Sequence, residues 1–271
     1  MRLSGRRSYI SEFSETGRDL SETFRKFPLA LSLATQDILG RYRGSILGPW
    51  WITIMTMTLV LGIGIEYAAL FHQKVEQLLP FVALGLVFWG FLSVSISEGG
   101  DAFISGAAMI KQSAIPLPLF IVRCLTRNFI NLAHQIVIVA AVLLWFRIYP
   151  GPGMLWALAG LALLVINLGW IGLMLAMFSA RFRDMPQIIT AVMQLAFFLS
   201  PIIWSPPPAL ANSPLVAINP FYFSIESIRQ PLLHGVMPIQ AATFLIPIAV
   251  AGWTATILIY NQTRRRVVHY L

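Results

Sequence analysis

The chain has 271 residues, 57% of them hydrophobic and 11% charged, against about 25% charged in an average soluble domain. With a mean hydropathy of +0.75, this argues against a soluble enzyme, a disordered chain or a free nucleic-acid binder. The single cysteine, Cys124, rules out an intrachain disulfide framework and a cysteine metal cluster, and the net charge of +8 matters in a membrane chain through its distribution rather than its sum.

Met1 to Phe27 is charged and polar, without the apolar run of a signal peptide. Within it Ile10, Phe13, Leu20, Phe24 and Phe27 recur at helical intervals. That spacing predicts an amphipathic helix on a membrane surface or against a partner. A second such piece covers Leu29 to Tyr42, with Leu29, Leu33 and Ile38 or Leu39 on one side and Gly40 as a breaker.

Six apolar stretches follow, at residues 46–66, 78–97, 128–146, 154–180, 185–204 and 240–261. Each is close to the 20 or so residues a helix needs to cross the hydrocarbon core, and none alternates as a barrel strand would. Between the second and third, Ala102 to Ile110 and Ser113 to Val122 are too short to span and read as a short helix and turn at the membrane surface. The predicted fold class is an all-α integral membrane protein. It has an interfacial segment over residues 1–45, six transmembrane helices over 46–261 and a basic tail over 262–271. All 19 Lys and Arg fall on one side of this topology except Lys74, Arg147 and Arg229. The positive-inside rule makes that richer side, which holds both termini, cytoplasmic. The basic excess is thus topological, with room for anionic-lipid contact, and nucleic acid is not an expected partner.

Residues 205–239 form a connection too long for a plain loop and too apolar for a solvated one. It opens with Pro206, Pro207 and Pro208, continues through an Asn219-Pro220-Phe221-Tyr222 turn and ends in the periodic piece Phe223 to Leu233. Half-buried or re-entrant helices fit it best, because irregular backbone at membrane depth must be buried in protein or line a cavity; a gate or lid is expected there. Glu66, at the outer end of the first span, either caps a helix at headgroup level or faces a substrate path. Aromatic residues near span ends form an interfacial belt or line a channel; Trp50, Trp51, Phe88, Trp89 and Phe91 are the candidates for lining. His134, alone inside a span, reads as helix packing rather than metal binding. No G-x-x-x-x-G-K-[ST] phosphate loop, H-E-x-x-H zinc motif or G-x-S-x-G elbow occurs, so neither catalytic nor metal residues are assigned.

The stretch Arg41-Tyr42-Arg43-Gly44-Ser45-Ile46-Leu47-Gly48-Pro49-Trp50-Trp51 resembles the R-Y-[KR]-x-S-x-L-G-x-x-W opening of ABC type-2 exporter permeases, in the branch that exports polysaccharides (O-antigen, capsule or teichoic acid). Three further features follow in order. Met109-Ile110-Lys111-Gln112 with Pro116 is similar to the family's coupling segment, although a second lysine and an aromatic-Pro pair are altered. Ala180-Arg181-Phe182-Arg183-Asp184-Met185 is similar to its R-[FY]-R-D-[LIM] loop, and Asn219-Pro220-Phe221 to its N-P-[LF] turn. The matching features extend over roughly residues 30–265.

The resemblance implies a homodimer in the bacterial inner membrane. Two copies of a separate ABC ATPase would bind ATP and Mg and drive a lipid-linked glycan outward, with periplasmic or outer-membrane export components as further candidate partners. On that footing Arg41 and Arg43 either anchor the first span or meet a pyrophosphate linker, whose geometry suits guanidinium groups. Arg181, Arg183 and Asp184 form an internal ion-paired turn or touch the ATPase. The short helix near Ala107 to Ala114, with Met109, Ile110, Lys111 and Gln112, is the main expected ATPase contact. Glu66, Asn219, Pro220 and Phe221 form the expected outer gate. A permease for a drug, antibiotic or lipid is the nearest alternative. A secondary transporter is disfavoured by the lack of an internal repeat, and a membrane glycosyltransferase by the lack of clustered Asp, Glu or His.

Overall fold

The computed structural model describes residues 15–70, 72–113, 115–206 and 213–271. Ile10, Phe13, Ala114, Pro207 and Pro208, named above, lie outside these residues, as do Arg2, Arg6 and Arg7 among the cations assigned to the cytoplasmic side. Among the described residues the chain is helical throughout, connected by turns. In chain order the helices are α1 (residues 15–25), α2 (Phe27–Arg41), α3 (Trp50–Leu70), α4 (Val75–Ser105), α5 (Ala107–Gln112), α6 (Pro118–Trp145), α7 (Gly153–Arg181), α8 (Met185–Leu199), α9 (Pro214–Ala217), α10 (Pro220–His234) and α11 (Ile239–Tyr270).

Five of them, α3, α4, α6, α7 and α11, are long and apolar enough to cross a membrane. The fifth expected span does not run to Trp204. Its helix, α8, is 15 residues long, about 22 Å at 1.5 Å per residue. Pro201 supplies no amide hydrogen and pushes the residue before it out of the helical region; Ser200 is accordingly extended.

The third span also differs from expectation. Its helix starts ten residues early, at Pro118, so residues 118–122 belong to α6 and not to a surface turn. Likewise α4 continues past Glu98 and Asp101 to Ser105, because Glu98 is ion-paired there. The first span begins at Trp50 rather than Ile46. Gly44 and Gly48 take positive φ angles of 81° and 53° in the turn before it. The basic tail is not a separate segment, since α11 runs through it to Tyr270.

α4 is the central helix, buried on nearly all sides against α3, α6, α7 and α8. Small residues set these contacts: a Cβ at Gly99 would lie 3.1 Å from the Cα of Gly172 on α7, and one at Gly64 of α3 would lie 3.1 Å from Leu79. On α6 the buried polar residues Asn128, Asn131 and Gln135 face inward, and Asn128 donates to Ser95 of α4 at 3.4 Å. Such bonds hold helices together where no hydrophobic force can.

α2 packs on α6 through Ala30, Ala34 and Ile38, while Leu29, Leu31 and Leu39 face outward. The expected stripe is thus split: Leu29 and Leu39 face outward, Leu33 is partly exposed and Ile38 packs inward with the small alanines, which allow close helix approach. In α1, similarly, Thr16 and Thr23 are buried and Phe24 is exposed.

The two ends of the described chain meet. Thr16 bonds Asn261 at 3.0 Å, Asp19 accepts from Tyr260 at 2.8 Å and from Arg264 at 2.9 Å, and Glu15 pairs with Arg265 at 2.9 Å. Arg183, after α7, donates to the carbonyls of Tyr270 and Leu271. α1, the α5–α6 turn and the last turns of α7 and α11 thus form one basic end of the bundle.

Candidate functional site

A groove of about 630 Å³ runs between α4 and α8. Its walls are two helical stripes. Trp89, Ser93, Val94, Ser97 and Glu98 come from α4; Thr190, Met193, Gln194, Phe197 and Phe198 come from α8. The helices run in opposite directions, so like lies opposite like. Trp89, Phe197 and Phe198 gather at the far end, Ser93, Ser97, Thr190 and Gln194 lie along the middle, and Glu98 stands at the basic end. The rings are in contact: Trp89 and Phe197 centroids are 5.8 Å apart, and Phe197 and Phe198 meet edge-to-face at 5.4 Å.

An ion network closes the basic end. Glu98 accepts from Arg41 at 2.9 Å and from Arg127 at 2.8 Å. Arg127 also donates to Asp37 at 2.8 Å, and Arg123 grips Asp37 through both its Nε and Nη2 groups. Partial burial opposes ionisation of Asp37, but the hydrogen bonds and charges of Arg123 and Arg127 outweigh it and hold the carboxyl below the ordinary carboxylate range. Asp19, in the clasp between α1 and α11, shifts the other way. Its burial outweighs the hydrogen bond from Tyr260 and raises it above that range.

The far end is fixed by buried groups of α10. Arg229, 1% exposed, donates to the carbonyls of Pro201 at 2.8 Å and Ile202 at 3.0 Å, which the broken end of α8 leaves free. It pairs with Glu226 one turn earlier, and its guanidinium lies 3.6 Å from the centroid of Phe81. Gly85 makes room for this: a Cβ there would sit 2.2 Å from the Ile202 oxygen. Asn219 caps α10, accepting from the Phe221 and Tyr222 amides at 3.0 and 3.1 Å, and donates to Ser200 at 2.9 Å. Phe221 then meets Trp89 edge-to-face at 5.8 Å, which ties α10 to the aromatic end of the groove.

Of the five aromatic candidates, Trp89 alone reaches the groove lining, and it too is largely buried, 7% exposed. Phe88 and Phe91, 2% and 4% exposed, are packed in the core. Trp50 and Trp51 stand half-exposed on α3, with Trp50 edge-on to His134 at 5.5 Å. Arg41 is engaged by Glu98, while Arg43 is exposed. Ile110 anchors α5, leaving Lys111 and Gln112 exposed and Met109 partly so. Arg181 lies over the rings of Phe182 and Tyr270, and Asp184 is the N-cap residue of α8. Asn219, Pro220 and Phe221 form one helix start; Glu66 is exposed on α3, apart from them.

Sequence reasoning missed the α8 wall. Its signal is present, since Thr190, Gln194 and Phe198 recur every four residues within an otherwise apolar stretch. Among the described residues no three His, Cys, Asp or Glu side chains converge as metal ligands.

The family model described as ABC-2 type transporter matches residues 29–233. Two proteins named O-antigen export system permease protein RfbA from Klebsiella pneumoniae are 20% and 18% identical, each over 90% of this chain and 95% of its own length. A protein of the same name from Myxococcus xanthus is 25% identical over 75% of this chain and 79% of its own length.

Proposed function

The chain belongs to the ABC-2 type transporter family, and from that premise we propose that it is the permease subunit of an ATP-driven exporter, passing a lipid-linked polysaccharide across the bacterial cytoplasmic membrane. The chain is a homodimer with both ends cytoplasmic, and two copies of a separate ATPase bind ATP and Mg beneath it. The observation that carries this reading is the α4–α8 groove. A polymer of sugars offers apolar C–H faces and many hydroxyls. Rings at Trp89, Phe197 and Phe198 suit the faces; Ser93, Ser97, Thr190 and Gln194 suit the hydroxyls. Such contacts tolerate any sugar in register, as sliding requires. The names of the relatives, all O-antigen export permeases, point to the same cargo.

One copy supplies one wall of the conduit, and a second copy facing the groove completes it. α8 with the bent segment 200–204 makes the sixth crossing, and α9 and α10 are the re-entrant outer helices. α5, with Lys111 and Gln112 outward, receives the ATPase. Arg43 is the better placed of the two arginines to meet a linker phosphate, because Arg41 already serves Glu98.

The test is substitution at an exposed groove ring. Phe198→Ala lowers surface glycan at least tenfold while membrane protein level stays unchanged, read by immunoblot of both. Normal export from Phe198→Ala and from Gln194→Ala together contradicts the glycan path.

A further inference from the structure

Behind α8, on the side away from the groove, lies a second cavity of about 410 Å³. It separates α8 from α7: Ile188, Ile189 and Val192 form one wall, and Leu164, Leu168 and Ile171 face them. Ile188 and Val192 are half-exposed and form its rim with Ile248 of α11. Two polar side chains that reach the lining are already bonded within the protein. Asn167 donates to the Leu163 carbonyl and accepts from Trp170, both at 3.0 Å, and Ser224 donates to the Pro220 carbonyl at 2.7 Å. Water would find almost nothing to bond there, and apolar cavities of this kind stay dry or take an apolar guest.

The geometry points to one occupant: a single acyl chain of an anionic bilayer phospholipid, entering past Ile188 and Val192. An apolar cavity of about 410 Å³ with an open rim is of a size to take one acyl chain. The cavity begins at Met185, the first residue after the turn that carries Arg181 and Arg183. With the Asp184 carboxylate beside them, Arg181 and Arg183 leave that end net positive, which favours an anionic headgroup there. Met193 belongs to both cavities, so the chain props α8 from behind and sets the width of the groove. The inference needs only that the protein spans a membrane, and it stands whatever the groove carries.

Native mass spectrometry of the full-length protein, purified in mild detergent with added palmitoyl-oleoyl phosphatidylglycerol, tests it. Wild type retains one lipid per chain. Val192→Trp and Ile188→Trp, both at half-exposed rim positions, reduce retention at least tenfold. Leu195→Trp, exposed on α8 but outside the cavity, keeps it. No retained lipid on wild type, equal retention by all four proteins, or equal loss in Leu195→Trp would each overturn the assignment.

Discussion

At Arg229 a single buried guanidinium serves a carboxylate, two backbone carbonyls and an aromatic face. Its removal strands Glu226 and the carbonyls of Pro201 and Ile202, and breaking a buried pair in this way costs about 3 to 5 kcal/mol. Arg229→Ala therefore lowers thermal stability in detergent by that order, read as a fall in melting temperature, and Arg229→Met behaves alike because the charge rather than the bulk is missed. Asp37 makes a pH prediction. Its folded value lies below the unfolded one of roughly 3.9, so its contribution is complete above about pH 5 and is lost as pH falls through the folded value. Acid unfolding of Asp37→Asn lacks that portion of the wild-type decline. Equal slopes between pH 5 and 3 would contradict the pairing. Arg229 could be singled out in the sequence as a lone cation in an apolar segment, but its role could not. The carbonyls it satisfies belong to residues 27 and 28 positions away, freed by a proline.

At the scale of helices, the placement of α10 depends on α7. Pro231 leaves the Ser227 carbonyl without its usual helical donor, and that oxygen approaches Gly160, where a Cβ would stand 2.2 Å away. Gly160→Val pushes two backbones apart and costs about 1 to 3 kcal/mol, whereas Gly62→Ala on α3, with nothing within 4 Å, leaves the melting temperature unchanged or raised. Equal effects would refute the close packing. Helices at this scale were readable from the sequence wherever apolar length decided the matter, as in α7, expected at 154–180 and found at Gly153–Arg181. They were misread where charge was taken as an end. Glu98 and Arg127 neutralise each other across α4 and α6, so both helices run through them. The groove was half legible for a related reason: Trp89 stood out by size, while Phe88 and Phe91 beside it point into the core, a distinction that depends on which face α8 covers.

For the molecule as a whole, the basic end carries α1, α5, the Asp37–Arg123–Arg127–Glu98–Arg41 network and the last turn of α11. The far end carries the broken tip of α8 and its Arg229 pin. In the function proposed above, a motor at the first end would reach the groove through α4 and α8, and the ion network ties α4 to α2 and α6 at that end. The central claim is that glycan passes along the α4–α8 groove. Its most direct test is thiol labelling in proteoliposomes holding the permease and its ATPase, in a Cys124→Ser background. Ser97→Cys and Gln194→Cys are labelled by a membrane-impermeant maleimide when no glycan is present and protected when export is stalled with glycan in transit. Val137→Cys, exposed on α6 away from the groove, is indifferent to glycan. Labelling of Ser97→Cys and Gln194→Cys that is the same with and without stalled glycan would contradict the account.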